Sequence, residues 1–303
     1  MESLKDIRDN IKSVQSTQQV MVTMKMISSA RIKKAQNAML NARPFSLGLE
    51  GVIDDLRKDI LDENNSFKDP DLSKFFKKPD MEKKNIGVLF ITADKGLAGA
   101  FNALLLRAAL NFIKENQDKN IYFFIIGKKG RDFLSRLKQP NVHIVYDAVG
   151  IFPKVGYVHA DILGEEIINN FLKLDLCEVR VLYNDFKSMG SQKLENQRLI
   201  PFDFEIAQGH TEFGEEEHGF LFEPGKEMIF KLLLYRHIKA GLYRILLESQ
   251  AAELAARMNA MDSASKNAGE IIDTLKVKLN KVRQSSITNE ITEIVGAVEA
   301  LNK

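Results

Sequence analysis

The chain has 303 residues, of which 45% are apolar and 28% charged, and its formal net charge is +2. This composition is typical of a globular protein, and the length suggests two structural units or one domain with a long appendage. The single cysteine, Cys177, excludes an internal disulfide, and the charged start MESLKDIRD contains no apolar signal core. No apolar run is long enough to span a bilayer, so we expect an intracellular protein that meets membranes only through partners.

Residues 1–61 predict a long helix with an apolar seam along one face. Gln18, Lys25 and Ser28 interrupt the seam in its middle. The apolar positions follow coiled-coil spacing, which predicts packing against another helix. They are Leu4, Ile7, Ile11, Val14, Met21, Ile32, Ala35, Met39 and Ala42.

The start and the charge of this helix are also informative. Ser3 followed by Asp6 resembles a capping box, with a shorter acid than the usual glutamate. Residues 1–43 carry eight Lys or Arg against three Asp or Glu. Such an excess fits either an ordinary solvated helix face or a surface that meets an acidic partner.

Residues 62–84 and 85–205 differ in composition and in periodicity. The first segment has two prolines and many charges, so it predicts a linker or surface excursion with a short helix around Leu72–Phe76. In the second, apolar runs alternate with helix-like stretches, which predicts a small, doubly wound, mainly parallel α/β domain. The predicted strands are Ile86–Thr92, Ile121–Ile126, Val142–Tyr146, Val179–Tyr183 and Gln192–Ile200, and the predicted helices are Phe101–Asn116, Gly130–Lys138 and Val155–Lys173.

The rest of the chain divides into an irregular and a helical segment. Residues 206–224 predict an irregular connection, in which His210 and His218 match no standard metal-binding spacing. Residues 225–303 contain no proline and predict one very long helix, with charges too frequent for a transmembrane span. Its seam comprises Leu254, Met258, Met261, Ala268, Ile272, Leu275, Leu279 and Val282, and continues through Ile287, Ile291, Ile294, Val298 and Leu301.

The two seams lie at opposite ends of one chain and can cover each other. The α/β domain between them sends the chain back toward its start. We therefore expect the N- and C-terminal helices to pair as a long antiparallel coiled coil, with the small α/β domain inserted between them.

Three separated sets of motifs carry a resemblance. They are SVQSTQQ (13–19) with MKMISSARIKKAQ (24–36), then ITADKGLAGAFN (91–102), then ARMNAMDSASKNAGEII (256–272) with LNKVRQSSITNEITEIVGA (279–297). In this order, and over nearly the whole chain, they resemble the signatures of the gamma subunit of the F-type ATP synthase. Strings of this length are far more specific than a short motif.

The resemblance implies a central rotor shaft that is not itself an enzyme. In that family, three alpha and three beta subunits surround the paired helices, and the turning shaft changes the affinity of each catalytic site for nucleotide. The shaft couples ion-driven rotation of the membrane c ring to ATP synthesis or hydrolysis, with the epsilon subunit as a further partner. The implied location is cytoplasmic, peripheral on the inner face of the cell membrane through the complex.

The resemblance also implies which residues contact partners. The positions that match the family's contacts with the catalytic ring are Met24, Lys25, Arg257, Arg283, Gln284, Thr288 and Glu290. At the foot, which faces the c ring and epsilon, FLFEP (220–224) implies Phe220, Phe222 and Glu223. Independently of the family, Gln284 and Thr288 lie four residues apart and therefore share one helix face.

Motifs for nucleotide binding and catalysis are not matched. Residues 94–100 lie between a predicted strand and a helix, where α/β domains bind phosphate, but they fit neither GxGxxG nor GxxxxGK[ST]. GKKGRD (127–132) also fails the second pattern, and no G-x-S-x-G elbow occurs. We therefore expect no catalytic residue, no cofactor and no metal.

Two other functions compete with the rotor shaft. The first is an α/β enzyme with a coiled-coil dimerisation arm, which the missing phosphate loop and catalytic constellation disfavour. The second is a nucleic-acid-binding coiled coil, supported only by the basic first helix. No interleaving of aromatic and basic residues supports it, so we expect no nucleic-acid partner.

Overall fold

A computed structural model gives the fold of this protein. It describes residues 3–61, 67–76, 80, 82, 84–152, 154–202, 223 and 225–301, with the backbone alone at 42–47, 50–51, 54–55, 58–59 and 299–301. The chain divides into two compact units. We call residues 1–29 with 257–303 the hairpin unit, and residues 30–256 the α/β unit.

Two long helices begin and end the described chain, as the sequence predicts. Helix α1 spans Leu4–Ile60 and helix α6 spans Lys226–Leu301. The predicted capping box is present at the start of α1, because the Ser3 hydroxyl accepts from the Asp6 amide and the Asp6 carboxylate accepts from the Ser3 amide, both at 3.1 Å. Within the described residues, neither helix nor any other is long and apolar enough to cross a membrane.

The α/β unit is built on one five-stranded sheet, in the order β3-β2-β1-β4-β5. The first four strands are parallel, and the last pairs antiparallel with its neighbour as a hairpin. The strands are β1 (Asn85–Ile91), β2 (Asn120–Ile126), β3 (Val142–Ala148), β4 (Glu178–Ser188) and β5 (Ser191–Ile200). The predicted alternation of strands and helices is confirmed.

Helices cover both faces of the sheet, so the domain is doubly wound as predicted. Helices α3 (Phe101–Glu115) and α4 (Lys128–Leu137) pack on one face, and α5 (Tyr157–Lys173) packs on the other. The long helices add to these cores. Helix α1 contributes Leu49, Ile53 and Leu56 on the α5 side, and α6 contributes to both faces.

Part of the predicted 62–84 excursion belongs to the core instead. Helix α2 (Pro70–Lys74) is short, and Phe67, Leu72, Phe75 and Phe76 around it are buried against the α5 side. Prolines and charges dominate the composition of this segment, which is why it predicts a surface position. Four apolar side chains at the right spacing are enough to bury it nonetheless.

Helix α6 runs through the α/β unit with buried residues on all sides between 245 and 256. Four alanines, Ala251, Ala252, Ala255 and Ala256, lie in this stretch and let neighbouring elements approach closely. Two acidic side chains, Glu248 and Glu253, are buried there as well. Glu248 accepts from the Tyr183 hydroxyl at 3.3 Å and from Arg244 at 2.9 Å, while burial raises the pKa of Glu248.

A glycine is required where β2 turns into α4. Gly127 has φ +98°, and a Cβ added there would lie 2.0 Å from the carbonyl oxygen of Thr92. Gly150 also has a positive φ, +80°, but a Cβ there would meet open space. A side chain at Gly150 would meet only the cost of the backbone conformation, whereas one at Gly127 would also collide with the backbone. Comparing substitutions at the two positions therefore separates these two costs.

We predict that Gly150→Ala lowers the free energy of unfolding by about 1–2 kcal/mol, the usual cost of a left-handed residue with a side chain. Gly127→Ala adds a collision with the backbone and should lower it by clearly more than that. Chemical denaturation of both variants measures the difference. Equal losses would mean that the turn at Gly127 relaxes and that close packing there does not matter.

The contact between His237 and Phe202 joins α6 to the end of the sheet. The two rings lie 5.5 Å apart, and Nδ1 of His237 is buried without a hydrogen-bond partner. Burial, with the positive charge of Arg244 as a smaller cause, lowers the pKa of His237. The folded protein therefore holds this histidine neutral at pH values where the unfolded chain protonates it.

Stability should consequently fall as the pH drops below about 6.5, because the unfolded state then binds a proton that the folded state does not. We predict that His237→Gln loses less thermal stability than the parent protein between pH 7.5 and pH 5.5. Melting temperatures of both proteins at the two pH values measure this. An identical loss in both would show that other groups account for the acid sensitivity.

Candidate functional site: the helical hairpin

The hairpin unit pairs the start of α1 with the later part of α6 in an antiparallel arrangement. Gln18 Nε2 donates to the carbonyl oxygen of Ser265 at 3.0 Å, and Lys25 Nζ lies 2.5 Å from an Asp262 carboxylate oxygen. Residue numbers rise along α1 while those of the facing α6 residues fall, so the two helices run in opposite directions. The pairing is within one chain, as predicted.

Burial along this unit follows the predicted seams. Ile7 on α1 and Met261, Ala268 and Ile272 on α6 are at most 6% exposed. Gly269 lets the helices approach at the polar layer, since a Cβ there would lie 3.3 Å from Gln18 Nε2. Apolar residues thus hold the pair together, and the polar residues between them fix its register.

The end of α6 has a different character. Every described side chain from Ile287 to Val298 is exposed, including five large apolar ones. These are Ile287, Ile291, Ile294, Val295 and Val298, each at least 49% exposed. An apolar stripe of this length left in water is typical of a surface that binds a partner.

The predicted ring contacts fall into two groups rather than one site. Met24 and Lys25 on α1, with Arg257 on α6, are half-buried near the Asp262 layer. Arg283, Gln284, Thr288 and Glu290 are exposed more than twenty residues further along α6. At 1.5 Å per residue, Arg257 and Arg283 lie roughly 40 Å apart along the helix axis.

Local hydrogen bonds already engage part of the second group. The Thr288 hydroxyl donates to the Gln284 carbonyl at 2.9 Å, which leaves the lone pairs of its oxygen to accept from a partner. The Glu290 carboxylate accepts from the Ser286 hydroxyl at 3.4 Å. Exposed and locally oriented, these side chains can hydrogen-bond to another protein surface.

At the foot, only one of the three predicted contacts can be located. Phe220 and Phe222 lie outside the described residues, and Glu223 is exposed shortly before α6 begins. His210 and His218 also lie outside the described residues. Across the described part of the chain, no group of three or more His, Cys, Asp or Glu residues could hold a metal ion.

In the loop at 94–100, the acidic residue Asp94 has a structural role. The Asp94 carboxylate accepts from the amide of Lys128, in the first turn of α4, at 3.0 Å and from the amide of Gly150 at 3.1 Å. A carboxylate of this protein therefore occupies one amide at the N-terminus of α4, a place where helices can bind phosphate. Cys177 is buried, and burial raises the pKa of its thiol, so it is a poor nucleophile.

Asp262 is the site residue that the sequence reasoning missed. It pairs with Lys25 across the hairpin and also with Lys266 at 2.9 Å within α6. The hydrogen bond from Lys25, and then that from Lys266, lowers the pKa of its carboxyl. The signal was available, because a lysine that interrupts one seam calls for an anion on the facing helix.

Comparison with known proteins decides the family. The family model described as ATP synthase matches residues 3–301. The ATP synthase gamma chain of Solibacter usitatus is 37% identical over 300 residues, which cover 99% of each chain, and that of Cytophaga hutchinsonii is 35% identical over the whole of both. This chain belongs to the ATP synthase gamma chain family.

Solved structures agree with the family assignment. The first is a chain from the central stalk and c-ring structure of the Tetrahymena thermophila mitochondrial ATP synthase, at 25% identity and a TM-score of 0.59. It covers 81% of this gamma chain family member and 99% of that chain. A chain of the Euglena gracilis mitochondrial ATP synthase, 19% identical with a TM-score of 0.67, covers 98% and 94% and shares the fold.

Proposed function

We propose that this chain is the central rotor shaft of an F-type ATP synthase and has no catalytic activity of its own. The observation that carries the proposal is that the chain matches the family over nearly its full length. The antiparallel pairing of α1 with α6 agrees with it. The shaft couples rotation of the c ring to ATP synthesis or hydrolysis in the surrounding alpha and beta subunits. The ring's catalytic sites respond only to contacts that differ between rotor angles.

The exposed end of α6 supports a contact surface for the catalytic ring. Its apolar stripe, Ile287 to Val298, offers a surface that a surrounding protein can cover. Next to the stripe, Arg283, Gln284, Thr288 and Glu290 offer hydrogen-bond donors and acceptors whose partners can change as the shaft turns. We assign a second ring contact to Met24 and Lys25 on α1 and to Arg257 on α6. In sequence, these residues lie nearer to the α/β unit than the first contact does.

We assign the foot of the chain to the c ring and the epsilon subunit, through Phe220, Phe222 and Glu223. The support is their place in the sequence, directly before the start of α6, and the exposure of Glu223. The same assignment puts the protein in the cytoplasm, peripheral on the inner face of the cell membrane. Its membrane attachment then runs through the complex.

The ring contact at Gln284 and Thr288 can be tested directly. Hydrogen bonds to charged groups contribute about 1.5–3 kcal/mol each, and a difference of about 1.4 kcal/mol between rotor angles changes a rate tenfold. We predict that Gln284→Ala with Thr288→Ala lowers steady-state ATP hydrolysis of the assembled complex by about tenfold or more. Both sites are exposed and alanine favours helix, so the melting temperature of the free chain should stay the same.

Thr274→Ala is the matched control for this experiment. Thr274 is exposed on the same helix, and its hydroxyl donates to the Glu270 carbonyl at 2.9 Å, like that of Thr288 to Gln284. It should leave turnover unchanged. Unchanged turnover in the double variant, together with a lower melting temperature, would mean that Gln284 and Thr288 serve only the helix.

A further inference from the structure

A shared carboxylate lies at the polar layer of the hairpin unit. Asp262 contacts Lys25 of the facing helix at 2.5 Å and Lys266 of its own helix at 2.9 Å. The side chains of Lys25, Asp262 and Lys266 are 44%, 34% and 72% exposed. One anion thus binds two cations at the surface of the hairpin, and the three side chains carry a net charge of +1.

Helix pairing does not depend on this group. The register is fixed by the bond from Gln18 to the Ser265 carbonyl, and the seam is closed by buried Met261 and Ala268. Ion pairs as exposed as this one contribute little to stability, because water and salt screen them. A role other than holding the helices together therefore has to explain why the carboxylate is shared.

What the carboxylate does fix is the direction of the Lys25 side chain. A lysine ammonium sits on a flexible four-carbon stem and samples many rotamers unless a partner holds it. Bound to Asp262, it stays at the hairpin surface, next to Met24 on the helix that carries the proposed ring contact. The surplus positive charge favours an anionic partner.

We propose that Asp262 is a positioning residue that holds Lys25 in place for an anionic group of the surrounding catalytic ring. The Lys25 ammonium has three N–H donors, so it can keep its bond to Asp262 while it meets that group. The inference rests on the proposed function, since it requires a ring around the hairpin. The lowered pKa of Asp262 agrees with it, because an ionised carboxylate keeps its hold on Lys25.

The experiment uses the chain assembled with its alpha and beta subunits and measures steady-state ATP hydrolysis. Asp262→Asn removes the anchoring charge at nearly constant size, and we expect turnover to fall about fivefold. Asp273→Asn is the matched control, since Asp273 pairs only with its own helix, to Lys276 at 3.3 Å, among the ion pairs of the described residues. It should leave turnover unchanged.

A charge exchange separates positioning from helix pairing. In the double variant Lys25→Asp with Asp262→Lys, the ion pair across the hairpin re-forms, but the ring now meets a negative side chain from α1. Pairing is followed by the melting temperature of the free chain, in which Gln18 and the buried seam residues are left unchanged. We expect a normal melting temperature and turnover that stays low.

Two results would overturn the inference. Full recovery of turnover in the charge-exchange variant would show that the pair only joins the helices, and unchanged turnover in Asp262→Asn would show that Lys25 needs no anchor. Failure of the proposed function looks different. In that case the parent chain itself would not assemble with the ring or raise its ATP hydrolysis, before any substitution is compared.

Discussion

The structure depends on the burial of two apolar seams against each other. A helix the length of α1 or α6 with a continuous apolar stripe is not stable alone in water, and each buried aliphatic side chain adds about 1.5–3 kcal/mol once covered. Because the partner helix comes from the other end of the same chain, everything between them must return the chain to its start. The α/β domain is therefore an insertion between two halves of one coiled coil.

The polar interruption of that seam gives the pair its specificity. A purely apolar seam tolerates several registers, whereas the hydrogen bond from Gln18 to the Ser265 carbonyl forms in only one. At the end of α6, by contrast, the apolar stripe is exposed, and no other described part of the chain covers it. One helix thus combines a self-covered segment with a segment left for a partner, which is what a shaft held inside a ring requires.

Much of this was predictable, for identifiable reasons. Period-seven patterns and the alternation of apolar runs with helix-like stretches extend over long segments of the chain. The two long helices, the alternating strands and helices of the sheet domain and the capping box at Ser3 therefore follow from local rules. The short helix of the 62–84 segment is predicted within two residues of α2, but its burial is not, because prolines and charges outweigh four apolar residues in the composition of the segment. For Asp262, the interrupting Lys25 predicts an anion on the facing helix, but the two residues lie 237 positions apart, so the register of the folded pair is needed to say which acid it is.

The most direct test of the shaft asks whether the α/β unit turns while the catalytic ring stays fixed. A cysteine at exposed Asn111 on α3, in a Cys177→Ser background, offers a single attachment point for a visible probe. With the ring immobilised on a surface and ATP supplied, the probe should rotate continuously in one direction. A stationary probe on complexes that hydrolyse ATP at the normal rate would contradict this expectation.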